Sequence, residues 1–331
     1  MRAGTRVAES IATGTAVAFV PMTCGELVQG ICDGSPFLVS CPIDRYARIS
    51  ATVDQTGRVR GPLGRTKAAA AARRTLVHLG HASLGVRLDV SSALPVSRGF
   101  GTSTADVVGA IVATGRALGR ELPSGVIARL AVEVEPSDGT MFPGLAVFDH
   151  RGGRHWEPLG SAPDMAVVVL DFGGSVDTVE HNAALDLGAL TRNSRRHERT
   201  LALLRRGVAD ADPGAIGEAA TISALAGQAI APKPALPAVL DVAARLRAWG
   251  VCAAHSGTAL GLLMPPDPEL AAHAVTEVRR SVSGLVDVWT ARLVGGGARA
   301  PANTPTRAIT WSHAASSPTP EEAIDGRAPL P

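Results

Sequence analysis

The sequence predicts an α+β fold in two domains, and three observations carry that prediction. Strand-like runs crowd the first 90 residues. A proline-led loop, Pro95-Val-Ser-Arg-Gly-Phe-Gly-Thr-Ser-Thr-Ala-Asp106, opens directly into a helical pattern. Beyond His150-Arg-Gly-Gly-Arg154, short apolar strands alternate with longer helical segments. The change of texture near 150–162 divides the chain into an N-terminal domain over 1–155 and a C-terminal one over 156–294.

Residues 16–20 (Ala-Val-Ala-Phe-Val) read as a first strand that Pro21 ends. A glycine-bearing turn follows, and 36–41 and 46–53 are β-branched strands. The alanine-rich stretch 66–79 is helical, with Leu76, Val77 and Leu79 as its apolar edge. Leu84, Val86, Leu88 and Val90 alternate with Gly85, Arg87 and Asp89, a half-buried strand that feeds the glycine loop. After the loop, Val107, Val108, Ile111, Val112 and Leu118 recur at helical spacing. A second helix covers 123–134 and a strand 144–148. In the second half, 165–170 is a fully apolar strand, with helical patterns over 184–206, 213–229 and 235–249. Strands at 250–255 and 259–264, a helix at 267–281 and a strand at 286–293 complete the order. Glycine, proline, alanine and serine dominate from Gly295, so 295–331 reads as a disordered tail.

Charge narrows the function classes. The 331 residues carry 32 Lys and Arg against 30 Asp and Glu, a net charge of +2, and the only lysines are Lys67 and Lys233. Basic residues are scattered and aromatics make up 3%, which argues against a nucleic-acid face. Cys24, Cys32, Cys41 and Cys252 lack zinc-ligand spacing and read as reduced thiols. No apolar run reaches membrane-spanning length. Arg2 and Arg6 are followed by Glu9, and Gly14 and Thr15 interrupt any signal-like core, so cytoplasm is the expected location.

The loop at 95–106 carries the chemistry. Glycine lets a backbone approach a ligand closely, and the first turn of a helix offers unpaired N–H groups with partial positive charge, which together suit phosphate. GxxxxGK[ST] is absent, so the cradle is not a Walker A loop. Alone, the loop also fits a plain strand–helix connection with Thr102 as N-cap. It fits poorly as a nucleophile elbow, because GxSxG is broken and no HGGG-type loop accompanies it.

Two further segments flank it: Pro21-Met-Thr-Cys-Gly-Glu-Leu-Val-Gln-Gly30 with Ser40-Cys-Pro-Ile-Asp44, and Ala254-His-Ser-Gly-Thr-Ala-Leu-Gly261. In this order the three resemble the GHMP kinase superfamily. Cys24-Gly-Glu-Leu-Val-Gln-Gly30, Val39-Ser-Cys-Pro42, Ser103-Thr-Ala-Asp106, Glu135-Pro-Ser-Asp138 and His255-Ser-Gly-Thr258 are most similar to its bacterial L-threonine kinase branch, which serves cobalamin synthesis. The resemblance spans about 16–293. It implies an N-terminal half like ribosomal protein S5 domain 2 and a C-terminal ferredoxin-like α/β sandwich. It implies phosphoryl transfer from ATP, with Mg²⁺, to the hydroxyl of L-threonine. Homoserine or an isoprenoid precursor as acceptor, and a non-catalytic ligand sensor on the same fold, stay open as alternatives. Thr102-Ser103-Thr104 departs from the usual Ser-Ser-Ala but keeps the hydroxyls.

By the same resemblance, Pro95, Arg98, Gly99, Phe100, Gly101, Thr102, Ser103, Thr104 and Ala105 hold the ATP phosphates. Ser103 and Glu135 take Mg²⁺, with Glu133 a weaker candidate. Asp138 orients the acceptor hydroxyl and takes its proton. Glu26, Gln29, Ser40, Asp44, His255, Ser256 and Gly257 bound the acceptor pocket, where a carboxylate meets the substrate ammonium. Cys24 and Cys41 read as packing thiols, and Asp106 as either a helix cap or a neighbour of the metal. The expected partners are the small-molecule acceptor and, for a homodimer, a second copy, with neither nucleic acid nor membrane.

Overall fold

A hairpin of unusual length organises the molecule. In the computed structural model, which describes residues 14–174, 193–229 and 231–301, β1 (Thr15–Cys32) and β2 (Ser35–Asp54) pair from Thr15↔Thr52 to Cys32↔Ser35. Asp33 and Gly34 close it with φ of 49° and 74°, the left-handed pair that matches strand twist in a two-residue turn. The register shifts between Pro21 and Thr23, between Thr23 and Glu26, and between Glu26 and Val28. Pro21 therefore does not end a strand; it stands beside a bulge, where the ladder is already interrupted. The two short strands expected at 36–41 and 46–53 are one strand for a similar reason, since Pro42 lies opposite Thr23 in the bulged stretch.

β3 (Val59–Arg60), β4 (Gly85–Ser92), β5 (Leu145–Phe148), β6 (Trp156–Gly160), β7 (Ala166–Asp171), β8 (Gly250–Ala253), β9 (Leu260–Met264) and β10 (Asp287–Arg292) complete one sheet. Its order is β10-β7-β9-β8-β1-β2-β4-β3, with the β5–β6 hairpin attached to β2. β1 and β8 meet through a single residue pair, Glu26↔Ala253. The helices are α1 (Thr66–His78), α2 (Thr102–Ala117), α3 (Ser124–Val132), α4 (Ser194–Ala209), α5 (Pro213–Gly227), α6 (Leu236–Leu246) and α7 (Pro268–Ser281). α2 is buried almost all round, between α1 and the β1–β2 hairpin, which explains its Val- and Ala-rich sequence. β7 is apolar on both faces. Val167 and Val169 join the core beneath α2, while Val168 and Leu170 join a second core with Val239 of α6 and Val278 of α7.

Some boundaries differ from the sequence expectation. The helix expected over 235–249 stops at Leu246, because Arg247 turns left-handed at φ 51°. Of the helix expected at 184–206, 184–192 lie outside the described residues, as do Arg2, Arg6 and Glu9. Residues 295–299, expected to begin a disordered tail, are held by backbone bonds. Gly296 N–H donates to Gly144 (2.8 Å), Gly297 N–H to Thr140 (2.8 Å), and Phe19 and Arg299 exchange two bonds of 3.0 and 2.8 Å. Side-chain composition carries no trace of such an attachment. The remaining 302–331 lie outside the described residues. Among the described residues no helix is long and apolar enough to cross a membrane.

Candidate active site

The glycine loop is anchored by its carbonyls. Arg98 O accepts from Thr258 N–H and Ala259 N–H (both 3.1 Å), Gly99 O from Gly25 N–H (3.1 Å) and Phe100 O from Thr23 N–H (2.9 Å). Phe100 is buried and packs on Trp289, with ring centroids 5.4 Å apart. Among the described residues the amides of 101–104, the first turn of α2 and its cap, donate to no acceptor; the α2 ladder begins with Ala105 N–H on Gly101 O (2.9 Å). Thr102 is not the cap: Gly101 is, at φ 61°, and Thr102 sits in the first turn with its hydroxyl on Pro95 O (3.0 Å). A Cβ on Gly101 would lie 2.6 Å from Asp138 Oδ2 and 2.7 Å from Thr23 Oγ1, so only glycine lets the helix mouth stand this close to the carboxylate.

These amides open into a cavity that Glu26, Glu135, Asp138, His255 and Ser256 also line. Asp138 N–H donates to Thr104 Oγ1 (3.1 Å), which fixes the acidic loop against α2. Burial pushes the Asp138 carboxyl up to about 7, the Glu135 charge adds to the rise, and Thr104 partly opposes it. Glu135 is 4% exposed; it accepts the Ser103 hydroxyl on one oxygen and Lys67 Nζ at 2.5 Å on the other. Glu133 points elsewhere and pairs with Arg74 (2.8 Å), so Glu135 is the acid at the cavity. Burial, then the Asp138 charge, pushes the Glu26 carboxyl well up, against the His255 amide and Lys233, which pull it down; its Oε2 is buried without a partner among the described residues. The Glu26 position follows from β1, where the register shifts on either side of it turn the chain at the seam with β8.

The Ser103 hydroxyl and the Glu135 carboxylate form a donor set that suits a hard cation completing its shell with water and phosphate. Among the described residues no group of three or more His, Cys, Asp or Glu could hold a metal ion by itself. Two protein ligands leave the rest of a divalent ion's shell to water and phosphate.

Other residues expected at the site lie behind it or apart from it. Ser40 Oγ accepts Gly139 N–H (2.9 Å) and supports the acidic loop from below. Gly257 packs on the loop backbone: a Cβ there would lie 2.2 Å from Gly99 N. His255 lines the cavity and meets His150 edge-on at 5.4 Å. Arg98 turns away to Asp171, a buried carboxylate 2.7 Å from its guanidinium. Asp44 binds Arg45 (2.9 Å) and Arg292 N–H (3.0 Å) at the junction of β2 and β10, and does not line the cavity. Gln29 belongs to the α5 contact, where its N–H donates to Ser223 (3.0 Å). Asp106 takes Arg65 (2.5 Å) and Ser92 (2.9 Å). Cys24 and Cys41 are buried thiols, raised by hydrogen bonding to Cys252 and by burial. Sequence reasoning passed over Thr23, Lys67 and Lys233. The signal for the lysines was their scarcity: in a chain of arginines, the only two both act on carboxylates of this site.

The family described as GHMP kinases N terminal domain matches residues 66–144, the stretch from α1 through the glycine loop to the acidic loop. The L-threonine kinase of Salmonella typhimurium is 34% identical over 252 residues, 75% of this chain and 83% of that protein. The L-threonine kinase of Citrobacter freundii is 32% identical over 252 residues, 75% of this chain and 86% of that protein. The crystal structure of homoserine kinase from Cytophaga hutchinsonii superposes with a TM-score of 0.68 at 16% identity, covering 86% of this chain and 97% of that one, a likeness of fold. Identity at this level across most of two curated relatives extends well past the matched segment, and the chain belongs to the GHMP kinase family, grouping with its L-threonine kinases.

Proposed function

We propose that this kinase transfers the γ-phosphoryl group of ATP to the hydroxyl of L-threonine, giving O-phospho-L-threonine and ADP. The observation that carries it is the approach of Asp138 to the open amides of α2 across Gly101. The terminal phosphates lie on the amides of 101–104, where the helix dipole favours negative charge. The acceptor oxygen bonds to the γ-phosphorus as the bond from that phosphorus to the β,γ-bridging oxygen breaks. The electron pair leaves on ADP and the hydroxyl proton passes to the Asp138 carboxylate. A carboxyl that titrates about 7 is poised for that exchange near neutral pH. Because the transition state is loose, positioning and charge neutralisation outweigh base strength. Mg²⁺, held by Ser103 and Glu135, would neutralise charge on the phosphates. Lys67 pairs with Glu135 and holds its carboxylate in orientation.

Glu26 favours an amino-acid acceptor over an isoprenoid, since its unpartnered oxygen suits an ammonium group. On this reading the N-terminal domain, 1–155, brings the amides and acids, and the C-terminal domain, 156–294, contributes the turn at 255–257. The product serves cobalamin synthesis in the cytoplasm. ADP release with Mg²⁺-ATP over L-threonine, L-serine, L-homoserine and mevalonate tests it. L-threonine should lead by roughly tenfold or more in kcat/KM, about the discrimination one methyl supplies. Asp138→Asn should lower kcat by roughly 100-fold or more. Preference for homoserine or mevalonate would overturn the acceptor assignment, and a wild-type rate for Asp138→Asn the role of the carboxylate.

A further inference from the structure

An α-amino acid brings two opposite charges to its pocket, and Glu26 answers only the ammonium. The segment before α6 supplies a cation. Lys233 stands between Pro232 and Pro234, which restrict the backbone on both sides. The Gln228 side chain clamps it in place, its Oε1 accepting Lys233 N–H at 2.5 Å and its Nε2 donating to Lys233 O at 3.1 Å. The side chain lines a cavity of about 530 Å³ whose other walls include Phe172, Leu260 and Gly257. Ser256 lines this cavity and also the one holding Glu26 and Asp138, so the two spaces adjoin. Among the described residues the half-buried Lys233 ammonium has no ion-pair partner, although it is near enough to Glu26 for each charge to act on the other.

The geometry points to Lys233 as the residue that binds the α-carboxylate of the acceptor, so that Glu26 and Lys233 together select an α-amino acid. The inference rests on the L-threonine reading and adds a specificity residue to it. A held cation facing apolar walls, with a carboxylate nearby but not in contact, is incomplete as a structural ion pair. A zwitterion entering between them completes both charges at once. Burial pulls the Lys233 ammonium down while Glu26 holds it up, and a bound carboxylate adds to the second effect. An amino alcohol, which brings an ammonium but no carboxylate, leaves the Lys233 ammonium without a counter-charge and is rejected.

Initial rates with L-threonine and with L-threoninol, in which –CH₂OH replaces the carboxylate, test this in the full chain. Wild type should prefer L-threonine by roughly 10- to 100-fold in kcat/KM, the worth of one charge-assisted contact. Lys233→Met should raise KM for L-threonine by a similar factor and leave KM for ATP unchanged. It should also bring the two acceptors within about threefold of each other. Lys233→Arg should keep part of the preference, which a loss of folding would not allow. If Lys233→Met retains the wild-type ratio of the two acceptors, Lys233 does not read the carboxylate, and the L-threonine reading stands without it. If wild type turns over neither acceptor, the L-threonine reading falls and Lys233 with it.

Discussion

Replacing Asp138 by asparagine should stabilise the protein while disabling it, and the gain should grow with pH. The carboxyl moves from its ordinary 3.8 to about 7 on folding, chiefly through burial and then through the Glu135 charge. Between those values the folded state keeps a proton that the unfolded chain has lost. Stability therefore falls as pH rises from about 4 to about 7 and is level above. A shift of about three units corresponds to about 4 kcal/mol at 1.36 kcal/mol per unit. Relaxation around a half-buried group reduces this, and about 2 kcal/mol, or about 3 °C in Tm for a chain of this size, is the expected gain near pH 8. Near pH 5 roughly a third of it should remain. Asparagine keeps the main-chain bond to Thr104 and removes only the charge facing Glu135. Thermal melts of both proteins at the two pH values make the measurement. Equal gains at both, or a less stable variant at the higher pH, would refute the placement of this carboxylate in a desolvated, acidic setting. The same titration makes kcat/KM fall below about pH 7, where the base is protonated.

Two other substitutions separate chemistry from scaffolding. Gly101→Ala puts a methyl 2.6 Å from Asp138 Oδ2 at a left-handed residue, so kcat should fall by roughly 100-fold with a few degrees lost in Tm; an unimpaired kcat would break the link between loop and carboxylate. Arg98→Met strands the buried Asp171 carboxylate, and about 2–4 kcal/mol of stability should go while KM for ATP stays within about threefold. A tenfold rise in that KM with an unchanged melt would return Arg98 to the phosphates.

How far the sequence was legible depended on whether the signal was local. α2 announced itself through Val107, Val108, Ile111 and Val112, and β4 through its alternation, since each follows from one stripe or one face packed on a core. The juxtaposition of Gly101 with Asp138 rests on backbone approach, which glycine permits but does not specify. The Arg98–Asp171 and Lys67–Glu135 pairs join residues distant in sequence, and no periodicity encodes a partner. Pro21 misled because proline ends regular strands, whereas β1 is irregular where it serves the site. Gln29 shared a motif with Glu26, yet a bulged strand sends neighbouring residues to different surroundings, while Asp44 lies on β2 and meets Arg45 and Arg292 instead.

The contact between Gly99 and Gly257 has a mechanical consequence. Beside the rung between β1 and β8, the loop and the distant turn are joined main chain to main chain, with Thr258 N–H and Ala259 N–H both on Arg98 O. A displacement of the turn at 255–257 therefore carries the glycine loop with it, so the spacing between the phosphate amides and the turn is the distance in the site least free to change.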